Sequence, residues 1–281
     1  MDYSHTDEMK QSSLKFRSVI QDARRVVIKI GSRVLVQKTG RPDVRRMRSL
    51  IADITAVRQT GREVVVITSG AVGSGMEALG MKTRPKLLPE VQMAAAVGQT
   101  RLMSRYAELF GARGLKVGQV LLTHSDFKHS VRRTNARRTI EALLRHGVVP
   151  IINENDVVAD EELKADMAFG DNDFLAALVV KLIRADLLVI LSTVDGVREP
   201  APNGRTRRVR YLECITRKTF ALVGASDSTL SKGGMGSKLK AAQSAAQSGC
   251  GVVIANGLTS GVLRSVIAGE DTGTMIVGSA L

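Results

Sequence analysis

The chain has 281 residues, 44% of them hydrophobic and 24% charged, with a net charge of +14. That is enough for one large domain or two lobes around a substantial core, in an ordinary globular composition. No apolar run reaches the roughly 18 residues of a transmembrane helix, the two cysteines make neither a metal spacing nor a disulfide framework, and aromatics at 3% leave few platforms for stacking bases.

Met1 to Arg25 is polar, mixed in charge and without the apolar centre of a signal peptide. We read 1–24 as a flexible extension and the protein as cytoplasmic, with Cys214 and Cys250 as reduced thiols. Apolar runs rich in valine and isoleucine then recur at Arg25–Gly31, Val64–Gly70, Val117–Leu122, Val148–Asn153, Leu187–Thr193, Val252–Asn256 and Thr274–Val277. Nearly continuous runs of this kind suit strands buried on both faces, as in a mainly parallel sheet. Helical spacing appears between them: Met47, Leu50, Ile51, Ile54 and Val57; Val91, Ala95, Gly98, Leu102, Tyr106 and Leu109; Ala136, Ile140, Leu143 and Leu144; Phe174, Leu175, Leu178, Val179 and Leu182. Lys82–Pro89 and Arg198–Arg210 read as loops. The alternation predicts an α/β fold with helices on both faces of a sheet. No linker divides the chain; a division into two lobes near residue 180 is compatible with it.

In open α/β sheets, ligands sit beyond the carboxyl ends of strands, and the unusual clusters lie there. Lys29-Ile30-Gly31-Ser32 follows the first run. A lysine at this point either snorkels to solvent or meets an anion. Thr68-Ser69-Gly70 opens a stretch of glycines and hydroxyls that suits an anion nest. Gly73 to Ala78 also fits the short dinucleotide pattern Gly-x-Gly-x-x-Ala, although in the wrong βα unit. Asn153-Glu154-Asn155-Asp156 places amides and carboxylates in alternation after a buried strand, which suits the charged groups of an amino acid. Gly170-Asp171-Asn172-Asp173 opens a helix with more polar groups than one cap needs. Lys232-Gly233-Gly234-Met235-Gly236-Ser237-Lys238 combines bare backbone N–H groups with an ammonium at a helix start, although no Walker loop is present. Two glycine–lysine turns could hold a transferring phosphoryl group from both sides.

Val-Ile-Thr-Ser-Gly-Ala, Gln-Met-Ala-Ala-Ala-Val-Gly-Gln, Asn-Glu-Asn-Asp, Gly-Asp-Asn-Asp and the glycine–lysine turn occur in an order that resembles the glutamate 5-kinases, a branch of the amino acid kinase family, over about residues 25 to 281. The resemblance implies a three-layer αβα sandwich with a central, mostly parallel eight-stranded sheet. It implies transfer of the ATP γ-phosphoryl group to the side-chain carboxylate of L-glutamate, giving γ-glutamyl phosphate, the first step of proline synthesis. Lys29, Lys238 and Asp173 take catalytic roles: the lysines neutralise phosphoryl charge and the aspartate holds them. Ser69, Gly70, Asn153, Asp156 and Asn172 bind glutamate. Lys29, Gly31, Ser192, Thr193, Lys232, Gly233, Gly234, Met235, Gly236, Ser237 and Lys238 border ATP, with Mg²⁺ carried on its phosphates. The glutamate site falls in the first part of the domain and the nucleotide site beyond about residue 180. A homo-oligomer (dimer or tetramer), feedback inhibition by L-proline, and transient handover to glutamate-5-semialdehyde dehydrogenase also follow from the resemblance, with no membrane and no specific nucleic acid.

The sequence departs from the relatives' pattern in two places. The PUA domain that many of them carry does not follow, and the expectation is a kinase domain alone. The nucleotide-side run reads Leu191-Ser192-Thr193-Val194-Asp195-Gly196-Val197-Arg198, so the usual aspartate is displaced or absent and an arginine stands for a tyrosine. Other readings weighed are a carbamate, aspartate or nucleoside-monophosphate kinase, an NAD(P) oxidoreductase built on Gly73 to Ala78, and a basic RNA-binding protein with a degenerate kinase fold.

Overall fold

Strand β1 (Arg25–Ile30) lies at the middle of the sheet because every second position of Arg-Val-Val-Ile-Lys-Ile packs against a different layer. The computed structural model describes residues 17, 19–37, 42–159, 171–201, 204–223 and 234–278. Val26, Ile28 and Ile30 join one core cluster, while Val27 joins the other. The same alternation puts Lys29 on the Val27 side.

After β1 come α1 (Ser32–Leu35), α2 (Val44–Gln59), β2 (Glu63–Ile67), α3 (Ala71–Ala78), α4 (Leu88–Gly111) and β3 (Val117–Leu122). Then follow α5 (His124–Lys128), α6 (Ser130–Arg145), β4 (Val149–Glu154), α7 (Asp171–Ile183) and β5 (Leu187–Ser192). A small antiparallel pair, β6 (Arg198–Pro200) and β7 (Thr206–Arg208), precedes β8 (Tyr211–Leu212), α8 (Arg217–Ala221), α9 (Met235–Ala246), β9 (Gly251–Asn256), α10 (Val262–Ile267) and β10 (Thr274–Ile276).

The main sheet has eight strands in the order β3-β4-β2-β1-β5-β9-β10-β8. β1 pairs in parallel with β2 on one side and β5 on the other, and β10 runs antiparallel to β9. The chain therefore leaves β1 in one direction and returns past it to β5. The junction of β1, β2 and β5 is the topological switch point, where a crevice opens beyond the strand ends. One core cluster holds α2, α4 and α10 against the sheet; the other holds α6, α7 and α9. This is the mostly parallel, eight-stranded αβα sandwich expected.

Three local expectations are corrected. Arg198–Arg210 is not only loop: Arg198–Pro200 and Thr206–Arg208 form the β6–β7 pair, tied by Arg207 to Glu199 at 2.7 Å. Tyr211–Leu212 adds an eighth strand too short to register as an apolar run. Leu88 and Pro89 belong to α4, since proline fits a first helical turn whose N–H groups have no intrahelical acceptor. The described part of the leading extension is packed rather than free: Ile20 and Ala23 join the core. Arg17 there is buried, donates to the carbonyls of Glu270 and Thr272, and pairs with Asp271.

The fingerprint-like Gly73–Ala78 lies inside α3, not in a turn before a helix. Its Gly75 faces α4 so closely that a Cβ would stand 1.7 Å from the Ala94 carbonyl oxygen. Gly98 of α4 meets α3 in the same way, 1.8 Å from the Ala71 carbonyl oxygen. These glycines serve helix contact, which removes the basis of the dinucleotide reading.

Candidate active site

Lys29 is the last but one residue of β1, in register with Ile67 of β2 and Ile190 of β5. Its face of the sheet is covered by α7 and α9, and both present polar first turns to it. Asp173 stands in the first turn of α7, where the helix dipole favours a carboxylate. Lys238 stands in the first turn of α9, where the dipole disfavours a cation. The mismatch at Lys238 is offset by Asp173.

The Lys29 ammonium lies 2.6 Å from Asp173 Oδ1, and the Lys238 ammonium 3.4 Å from Oδ2. Ser237 Oγ donates to Oδ2 at 3.2 Å, and Lys238 Nζ also donates to the Gly234 carbonyl at 3.4 Å. The Lys29 contact is a short, charge-assisted ion pair. All three charged side chains are at most 7% exposed. Burial alone would raise the Asp173 carboxyl, but Lys29 and Lys238 outweigh it and hold it below the ordinary carboxylate value. Burial pushes Lys238 below the ordinary lysine value; Asp173 opposes this, and Lys29 and Arg33 add to it. Two buried ammoniums on one carboxylate leave a net positive charge that suits a polyanion.

Next to this triad runs a chain of amides. Asn172 Nδ2 donates to Ser69 Oγ at 2.9 Å and to Asn153 Oδ1 at 3.2 Å. Asn153 Nδ2 in turn donates to Gln99 Oε1 at 2.9 Å. Ser69 and Asn153 follow or end the neighbouring parallel strands β2 and β4, so the sheet itself sets their spacing. Gly70, with φ of 102°, caps α3 in a left-handed conformation that glycine adopts without strain. Beyond this chain opens a cavity of about 250 Å³, lined among others by Gln99, Thr100, Gln119, Glu154 and Asp156. That is near the lower end of small-molecule pockets, the size of an amino acid rather than a cofactor.

The expected residues thus fall together at one strand edge. Lys29, Asp173 and Lys238 touch; Ser69, Asn153 and Asn172 are hydrogen-bonded; Asp156 lines the adjoining cavity. Gly31 donates its N–H to the Leu191 carbonyl at 3.0 Å, and Ser192 closes β5 beside it, followed by Thr193. Gly234 caps α9, and Met235, Gly236 and Ser237 form its first turn with Lys238. Lys232 and Gly233 lie outside the described residues. Asp195, in the run that departs from the relatives' pattern, is engaged by Arg198 at 2.8 Å on the surface. Sequence reasoning missed Gln99, Thr100 and Gln119 as lining residues, whereas Glu154 belongs to the polar cluster it singled out. Gln99 ends the Gln-Met-Ala-Ala-Ala-Val-Gly-Gln stretch, which carried a resemblance but no assigned role.

An open αβα sandwich that buries two ammoniums on one carboxylate at its switch point defines an α/β protein built to hold a polyanion at the carboxyl edge of its sheet. A profile of the amino acid kinase family matches residues 24–256, and the chain belongs to that family. It is 46% identical over 264 residues to the glutamate 5-kinase of Moorella thermoacetica, covering 93% of this chain and 68% of that protein. It is 43% identical over 255 residues to the glutamate 5-kinase of Lactiplantibacillus plantarum, covering 90% of this chain and 96% of that one. In fold it is similar to a carbamate kinase from Giardia lamblia solved with AMP-PNP, with a TM-score of 0.62 at 17% identity over 92% of this chain and all of the other. A UMP kinase from Bacillus anthracis gives 0.58 at 17% identity, over 92% and 97%.

Proposed function

We propose that this protein transfers the γ-phosphoryl group of ATP to the side-chain carboxylate of L-glutamate, forming γ-glutamyl phosphate at the entry to proline synthesis. The observation that carries this reading is the Lys29–Asp173–Lys238 triad set beside an amino-acid-sized cavity lined by amides and carboxylates. The family membership and the glutamate 5-kinase relatives support it.

A carboxylate is ionised at neutral pH, so the acceptor needs no general base. Its oxygen forms the new bond to phosphorus as the bond to ADP breaks. What remains for the protein is placement and charge stabilisation. Lys29 and Lys238 meet the charge on the transferring group from two elements, and Asp173 fixes both ammoniums in place. Ser69, Gly70, Asn153, Asp156 and Asn172 hold glutamate; Gly31, Ser192, Thr193 and the 232–238 turn border the nucleotide. Among the described residues no three His, Cys, Asp or Glu side chains gather as metal ligands. The Asp173 carboxylate already carries two ammoniums, so Mg²⁺ would take its ligands from the nucleotide phosphates and water, as a hard cation does. Bound there, it supplies further neutralisation of phosphate charge.

The same reading includes cytoplasmic action, a homo-oligomer, inhibition by L-proline and handover of a labile acyl phosphate to glutamate-5-semialdehyde dehydrogenase. No helix of the described residues is long and apolar enough to cross a membrane. The test is ATP consumption with Mg²⁺, with and without L-glutamate, with the acyl phosphate trapped as a hydroxamate. Glutamate-dependent hydroxamate that aspartate does not replace is the expected result. Its absence from folded protein would overturn the reading.

A further inference from the structure

The amide chain beside the lysines has a direction. Asn172 donates to Asn153, and Asn153 donates to Gln99. Each link uses one amide N–H group and one carbonyl, so the far end must expose a donor. That donor is Gln99 Nε2, which is buried and has no hydrogen-bond partner among the described residues. A buried amide nitrogen without a partner loses its hydration for nothing, so it invites a ligand acceptor. Gln99 lines the 250 Å³ cavity together with Glu154 and Asp156.

The two ends of the chain differ in what they face. Asn172 precedes Asp173, the anchor of both lysines, so its end adjoins phosphoryl transfer. Gln99 is two amides further away. An amino acid whose side-chain carboxylate reacts at the lysines therefore reaches Gln99 with its other end. That end carries an ammonium and a carboxylate. Carboxylates suit the ammonium, whereas an N–H donor suits only the carboxylate.

Building on the glutamate reading, we infer that Gln99 is a specificity-determining residue whose Nε2 donates to the α-carboxylate of the amino acid substrate. It selects substrates with a carboxylate at both ends over those with one.

The test uses Gln99→Glu and three ligands. The substitution keeps an acceptor oxygen for Asn153 Nδ2 and replaces the donor with an anion, so the chain survives and the α-carboxylate is repelled. The KM for L-glutamate should rise at least about tenfold, as should the Ki of glutarate, which keeps both carboxylates. The Ki of 4-aminobutanoate, which lacks the α-carboxylate, and the KM for ATP should stay unchanged. Gln99→Leu should give the same pattern more weakly. Equal weakening of all three ligands would reduce Gln99 to a structural prop and overturn the inference, as would no change for glutamate. Wild-type protein without glutamate-dependent hydroxamate would overturn the glutamate reading and this inference with it. An active wild type with an unaffected variant would overturn the role of Gln99 alone.

Discussion

At the residue scale, the decisive arrangement is two cations sharing one buried anion. A donor preorganised for transition-state charge contributes about 3–4 kcal/mol. Lys29→Ala and Lys238→Ala are each expected to lower kcat on the order of 10²–10³-fold, measured at saturating ATP and glutamate. Near-normal turnover in either variant would remove that lysine from the chemistry. The titration of Lys238 gives a second check. Burial lowers its pKa from the ordinary lysine value, and only the ammonium form stabilises phosphoryl charge. Activity should therefore be full below the lowered pKa and lost as pH rises through it, before an ordinary lysine would titrate. Bound phosphates favour the ammonium, so the alkaline limb of kcat should lie at higher pH than that of kcat/KM. Coincident limbs would argue against Lys238 as the titrating group. Cys250 does not compete for a role: it is buried and its pKa is pushed up, which keeps it an inert thiol.

At the element scale, the site depends on how closely α3 and α4 approach. α3 begins at the end of β2, just after Ser69 and Gly70, and α4 carries Gln99. Gly75 and Gly98 let the two backbones touch, with Gly98 placed against the Ala71 carbonyl and the Gly75 nitrogen. A methyl group at Gly98 must push the helices apart. Gly98→Ala is expected to destabilise the fold by about 1–3 kcal/mol in thermal or urea unfolding. Gly111→Ala, at the end of the same helix with open space around it, should change stability by no more than about 1 kcal/mol. Equal stability of the two variants would show that the contact is not tight in solution. Buried Tyr106, whose hydroxyl meets Thr68 Oγ1 at 2.7 Å, pins α4 to the end of β2 near the same place.

At the scale of the whole molecule, the charge of +14 is distributed unevenly. Arg132, Arg133, Arg137 and Arg138 are exposed along α6, where Asp126 and Glu141 pair with only Arg132 and Arg137, whereas Arg198, Arg207, Arg208 and Arg210 are all paired, with Asp195, Glu199 and Asp271. The unbalanced remainder attracts anionic substrates over a range set by the Debye length, about 30 Å at 0.01 M and about 8 Å at 0.15 M salt. Raising ionic strength between these limits should lower kcat/KM for ATP severalfold and leave kcat nearly constant. A kcat/KM indifferent to salt would confine the excess charge to solubility.

Local chemistry was enough to write the layers of this protein into its sequence. Continuous valine and isoleucine runs suit strands buried on both faces, and helical stripes supply the cover, so an α/β fold with helices on both faces of a mainly parallel sheet followed from pattern, while the eight-stranded αβα sandwich came from the family resemblance. The clusters after the strands were legible too, because Asn153-Glu154-Asn155-Asp156 and Gly170-Asp171-Asn172-Asp173 hold more polar groups than turns and caps require. Contacts between distant residues were not legible. That Lys29 and Lys238 share Asp173 depends on strand parity, the β1–β5 pairing and the covering of that face by α7 and α9. That Gln99 ends a directed amide chain depends on α4 crossing beside β4, and that Gly75 is a helix contact depends on where Ala94 lies. Periodicity is a property of neighbours along the chain, whereas a site is a property of neighbours in space, and only the folded sheet converts one into the other.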